Sequence, residues 1–178
     1  MDFTDSYVSI GVLRLNQHAE VPQYGTEHSA CFDLRANFGD SERVSIYNQY
    51  NAKREVKIEI IEPVPRLTLH PGDRAMIPTG IILDIPVGYC VQLYSRSGLA
   101  LKRGIRLANP IGVIDADYKQ ELFILLQNTS DTAEYIYHGD RICQGEVIKT
   151  IPTKFEFIDK LTEIPSTRSG GFGSTGVQ

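Results

Sequence analysis

The chain has 178 residues, a length that fits one domain with a sizeable core. Its 18 basic and 22 acidic residues leave a formal charge of −4 without a basic block, which argues against a nucleic-acid polymer as partner. No apolar run is long enough to span a membrane, and Met1-Asp2-Phe3-Thr4-Asp5 lacks the basic and apolar regions of a signal peptide, so the expectation is a cytoplasmic protein, of a cell or of an infected host cell.

In chain order, almost every segment reads as strand. Tyr7 to Leu15 is a β-rich run, followed by polar and turn-forming residues from Asn16 to Ser29. Ala30-Cys31-Phe32-Asp33-Leu34-Arg35-Ala36 sets a carboxylate among apolar neighbours, where it needs partners if buried. Asn37 to Arg54 is polar and reads as an insertion loop with a short strand at Val44 to Tyr47. Val56 to Ile61 alternates as a strand with one solvated face. Arg66 to His70 meets the turn Pro71-Gly72-Asp73 and returns as Arg74 to Pro78. Gly80 to Ile85 and Tyr89 to Tyr94 flank a Pro86-Val87-Gly88 turn.

Ser95 to Gly104 differs: helix-compatible residues closed by a glycine predict one or two helical turns. Ser97 is placed to cap them, which with Arg96 would make an anion site; an ordinary capped turn is the alternative. Beyond Ile105 to Ala108, the apolar run Pro110 to Ile114 enters Asp115-Ala116-Asp117-Tyr118, and a second apolar run, Leu122 to Leu126, follows. This pattern predicts a hairpin whose tip offers a general base and a flat ring. A polar turn whose aspartates bond their own backbone is the plainer reading. Ala133 to His138, Arg141 to Ile151 and Phe155 to Ile158 are the last candidate strands. Many short strands with Gly and Pro turns imply an all-β barrel or sandwich.

The three cysteines, Cys31, Cys90 and Cys143, lie far apart, which predicts free buried thiols in a reducing compartment. Neither they nor His18, His28, His70 and His138 have metal-site spacing. The chain closes with Ser166 to Gly176, rich in glycine and hydroxyls. It lacks the Gly-Lys-Ser/Thr of a Walker loop, yet its backbone N–H groups can wrap phosphates.

Five pieces, in order, resemble the trimeric dUTP diphosphatases (dUTPases): Ala30 to Ala36, Ser95-Arg96-Ser97-Gly98-Leu99-Ala100, Gly112 to Gln120, Gly139-Asp140-Arg141-Ile142-Cys143-Gln144, and Arg168 to Gly176. The resemblance spans nearly the whole chain. Four departures stand out: Cys31 for glycine, Ser95 for proline, Gln120 for glycine, and one residue fewer between Arg168 and Phe172. The stretch 37–65 is longer than in compact members and resembles the insertions of some phage and viral enzymes.

The resemblance implies a distorted jelly-roll (β-clip) barrel over residues 1–162 with one short helix, and a C-terminal glycine-rich arm over 163–178 that closes on the site. It implies Mg²⁺-assisted hydrolysis of dUTP to dUMP and pyrophosphate, which keeps uracil out of DNA and supplies dUMP for dTMP synthesis. Asp115 would be the base that activates water, and Asp33 an indirect Mg²⁺ contact through water. Asn109, Gly112 and Ile114 would read uracil, with Tyr118 flat on the deoxyribose. Arg96, Ser97, Gly98 and Gln144 match phosphate-contacting positions. Arg168, Phe172, Gly173, Ser174 and Thr175 would come from the arm. The site would be shared in a homotrimer, and the insertion could bind a partner protein, in the extreme as a non-catalytic nucleotide sensor. A related dCTP deaminase would need a glutamate where this chain has Leu125.

Overall fold

The computed structural model describes residues 7–39, 41–61 and 64–162. The arm, including Arg168 and Phe172 to Thr175, lies outside them. Fifteen strands are present among the described residues: β1 Gly11–Arg14, β2 Gln23–Tyr24, β3 Phe32–Arg35, β4 Arg43–Tyr47, β5 Lys53–Lys57, β6 Glu59–Ile61, β7 Val64–Leu69, β8 Arg74–Pro78, β9 Ile81–Asp84, β10 Tyr89–Tyr94, β11 Ile105–Leu107, β12 Gly112–Ile114, β13 Phe123–Asn128, β14 Glu134–Tyr137 and β15 Arg141–Lys149. One helix, α1, covers Ser97–Arg103. The predicted all-β class holds.

The strands form four antiparallel sheets, in the orders β1-β9, β12-β10-β15-β3-β2, β11-β13-β8-β4-β5 and β14-β7-β6. Alternation drives them: in β4, Val44 and Ile46 are buried while Arg43 and Tyr47 face solvent. One apolar core gathers a residue from every sheet; Ile81, Leu34, Leu126 and Leu69 are each at most 1% exposed. Each such side chain stabilises the fold by about 1.5–3 kcal/mol. Among the described residues no helix is long and apolar enough to cross a membrane.

Several expectations change. The segment around Asp115 is not a hairpin: β12 pairs with β10, and β13 pairs with β8 and β11, so the loop between them crosses from one sheet to another. The Pro71–Asp73 turn likewise joins strands of different sheets, and so does Pro86–Gly88. Sequence alternation fixes a strand but not its partner, because both neighbours offer the same backbone groups. Phe155 to Ile158 is not a strand; Phe155 and Phe157 are fully exposed.

The stretch Asn37 to Arg54, read as an insertion loop with a short strand at Val44 to Tyr47, holds that strand as β4 and the start of β5. β4 and β5 form a hairpin on β8, with Ile46 opposite Ala75, and Val44, Ile46 and Ile58 join the core. A buried carboxylate clamps it: Asp73 Oδ2 accepts from Arg54 Nη2 at 2.5 Å and from the His70 N–H at 2.9 Å. Asp73 is 2% exposed, so losing its partner would strand a charge.

Candidate active site

The sheet-crossing loop and its flanking strands line a cavity of about 320 Å³. Asn109, Gly112, Ile114, Asp115 and Tyr118 all face it, so five residues chosen from sequence converge. Met76, Leu93, Leu107, Phe123 and Leu125 complete an apolar wall. β12 is an edge strand of its sheet, so one side of its backbone is free of ladder partners among the described strands. Gly112 is needed for close packing: a Cβ there would meet the Leu93 side chain at 3.0 Å. The loop turns sharply, with the Tyr118 N–H donating to the Asp115 carbonyl at 3.1 Å.

A second, charged cluster lies across the same sheet. Asp33 on β3 faces Arg96 Nε and Arg141 Nη1, each at 3.1 Å. Arg96 Nη1 also donates to the Arg141 carbonyl at 2.7 Å. The three side chains sum to one positive charge. Asp33 Oδ1 and Arg96 Nε touch as charges without an aligned hydrogen bond, and neither has another partner among the described residues. A ligand or water that satisfied both would recover the cost of two buried unpaired atoms. Gln144 sits between Asp33 and Tyr94 in register. Beside it a polar hollow of about 220 Å³ is lined by Gln23, Tyr24, Gly25, Asp33, Arg35 and Arg141.

The cavity and the cluster do not merge within one chain, and no residue lines both hollows. Three strand spacings, about 14 Å, separate Gly112 from Asp33 across the sheet. Arg96 occupies the N-cap position of α1 with extended backbone and makes no side-chain cap. Ser97 is the first helical residue, so the expected Ser97 cap is absent; it and Gly98 are exposed. Gly104 closes the helix in the left-handed conformation with φ of 62°.

Two site residues escaped the sequence reading. Arg141 was visible in Gly139-Asp140-Arg141 but only the fold brings it to Asp33. Ser95, a departure from the usual proline, accepts a hydrogen bond from the Leu107 N–H at 2.9 Å and ties α1 to β11. Gln120 is exposed in the loop. Cys31, Cys90 and Cys143 are free thiols, two of them buried, and burial pushes the Cys143 thiol up to about 12, which makes it inert.

The chain is similar to known proteins. The family model for dUTPase matches residues 61–176. The deoxyuridine 5'-triphosphate nucleotidohydrolase of Roseobacter denitrificans is 42% identical over 156 residues, covering 88% of this chain and 86% of that protein. That of Brucella melitensis biotype 2 is 38% identical over 177 residues, covering 98% and 97%. Among solved structures, a mutant dUTPase of Staphylococcus bacteriophage 80alpha with dUpNHpp aligns at a TM-score of 0.72 and 20% identity, covering 95% of this chain and 99% of that one. A mutant dUTPase of phage phi11 of S. aureus, described for its structural Mg(II) ion, aligns at 0.67 and 18%, covering 87% and 99%. The structural likeness carries the fold; the family model and the curated relatives carry the kinship, and on them this chain belongs to the dUTPase family.

Proposed function

We propose that the protein hydrolyses dUTP to dUMP and pyrophosphate, and that the cavity holding Asp115 and Tyr118 is its nucleoside site. The observation that carries this is the convergence of Asn109, Gly112, Ile114, Asp115 and Tyr118 on one cavity. The free edge of β12 presents backbone N–H and C=O groups in fixed order, which suits uracil and refuses cytosine, since a wrong donor leaves a buried group unpaired. Tyr118 lies against the sugar, where a 2′-hydroxyl would meet its ring. Asp115, exposed at the cavity edge, accepts the proton of the attacking water. Leu125 lines the same cavity and cannot act as an acid or base, which counts against a deaminase.

Arg96, Arg141 and Gln144 receive the phosphates, with Ser97 and Gly98 exposed beside them. The residues fit a bound Mg²⁺ in a limited way. No group of three or more acidic, His or Cys side chains gathers among the described residues, and Asp33 offers one oxygen without a hydrogen-bond donor. Mg²⁺ is typically held by one or two carboxylates, waters and the substrate's own phosphates. Asp33 would hold it through water; when bound, the ion neutralises charge on the triphosphate. Because the cavity and the cluster stay apart in one chain, the complete site combines copies of this chain. The exposed rim of Met76, Ile111, Val113 and Leu125 supplies an apolar surface for a neighbour in a homotrimer.

Pyrophosphate release from dUTP, dCTP, dTTP and UTP, with Mg²⁺ and with EDTA, tests this. Release from dUTP alone, abolished by EDTA, is expected. No release from dUTP, or equal release from dCTP, overturns it.

A further inference from the structure

The loop that carries Asp115 and Tyr118 crosses between sheets without a ladder of its own, so something else must fix it. Its far end is stapled to the corner between β8 and β9. Thr79 Oγ1 donates to the Leu122 carbonyl at 2.6 Å, and the Leu122 N–H donates to the Ile81 carbonyl at 2.9 Å. Thr79 and Leu122 are 3% and 1% exposed, so both contacts are dry and costly to break.

Glu121 stands between this staple and the ring. Its carboxylate Oε1 accepts from the Gly80 N–H at 2.9 Å, while its own carbonyl accepts from Tyr118 Oη at 2.9 Å. Gly80 is closely packed and bonded on its other side. Its φ is +70°, and a Cβ there would fall 2.1 Å from Asn37 Nδ2. Its carbonyl is held by the Leu15 N–H at 2.8 Å. The Gly80 N–H is therefore a fixed donor, and Glu121 transmits that fixity to a ring that is otherwise 39% exposed. The neighbouring Lys119–Asp84 pair is solvent-exposed on both sides and adds little.

We propose that Glu121 is a positioning residue for sugar selection, locking the Tyr118 ring at the angle that admits deoxyribose and refuses ribose. The proposal rests on the reading of the cavity as the nucleoside site. A rigid ring rejects a 2′-hydroxyl by contact; a ring free to swing yields to it. Glutamine at position 121 keeps the Oε1 acceptor, whereas alanine removes it.

The test is steady-state hydrolysis of dUTP and UTP by the full-length wild type, Glu121→Ala and Glu121→Gln, with a thermal melt of each. In Glu121→Ala the KM for dUTP should rise about fivefold with kcat within about twofold, and the preference for dUTP over UTP should fall roughly tenfold. Glu121→Gln should restore the preference to within about twofold of wild type. A merely structural role would lower the melting temperature and slow both substrates alike. An unchanged preference in Glu121→Ala, or equal damage in Glu121→Gln, overturns the proposal. If Glu121→Ala is unfolded at the assay temperature, Tyr118→Phe reads the link from the ring end, where a lowered preference supports it and an unchanged one overturns it. If the wild type releases no pyrophosphate, the functional reading itself fails. Equilibrium binding of dUTP and UTP to the same variants then judges Glu121 separately, a preserved affinity ratio in Glu121→Ala counting against it.

Discussion

The two ends of the β12-β10-β15-β3-β2 sheet solve opposite problems. At the β12 edge the wall is apolar, a backbone edge without ladder partners among the described strands and a tyrosine ring border it, and one carboxylate, Asp115, stands at the rim. At the β3 end two guanidinium groups share one carboxylate, and two buried atoms, Asp33 Oδ1 and Arg96 Nε, lack hydrogen-bond partners among the described residues. On the proposed function the neutral end would read shape, because a misplaced donor in a dry pocket has no solvent to rescue it. The charged end would then read charge, which is less demanding of shape than a dry apolar pocket.

Four substitutions or conditions separate the two ends, in descending order of effect. Asp115→Asn removes the only charge of the neutral end that meets the reaction. Turnover of dUTP should fall by roughly 10²–10⁴-fold with the Kd for dUTP nearly unchanged, as measured by single-turnover assay and calorimetry. Unaltered turnover would move the base elsewhere. Arg96→Ala acts at the other end and should lower kcat/KM by about 10–100-fold, the value of one charge-assisted contact of about 1.5–3 kcal/mol. Its effect should shrink for dUMP binding if Arg96 meets only the outer phosphates.

Gly112→Ala probes shape without charge. The added methyl meets Leu93 at 3.0 Å, so about 1 kcal/mol of stability should be lost and KM should rise several-fold. A silent variant would mean that the cavity wall yields, and that shape is not what the neutral end reads.

The smallest effect concerns the turn that leads into Arg141. His138 Nδ1 accepts from the Phe38 N–H at 2.9 Å, so the ring is neutral there. Burial, and then His18, push its pKa below the ordinary 6.5, with Glu20 opposing. The unfolded chain therefore binds this proton more readily than the folded one. The contribution is complete above about pH 6.5 and is lost as pH falls through the lowered folded value. Denaturant midpoints should drop between about pH 7 and about pH 5, and His138→Gln should flatten that slope. An identical slope in the variant would assign the effect to the carboxylates.

Much of the site was legible in sequence. Asn109, Gly112, Ile114, Asp115 and Tyr118 lie within ten positions, and a short span of chain keeps near neighbours together in any fold. Arg141 with Asp33 was not, because their 108-residue separation carries no periodic signal. In the stretch 37–65 the strand at Val44 to Tyr47 and the one around Val56 were legible, but their docking was not: Val44, Ile46 and Ile58 reach the core only because β4 pairs with β8, a strand distant in sequence.

By itself the sequence determined the all-β class, most of the strands and the single short helix, since alternation and turn residues are local properties. Only the tertiary structure decided which strands pair, that the Asp115 loop crosses sheets instead of closing a hairpin, and that Gly80 and Glu121 hold the Tyr118 ring. Those outcomes depend on contacts between residues far apart in the chain, which are selected by packing against one shared core.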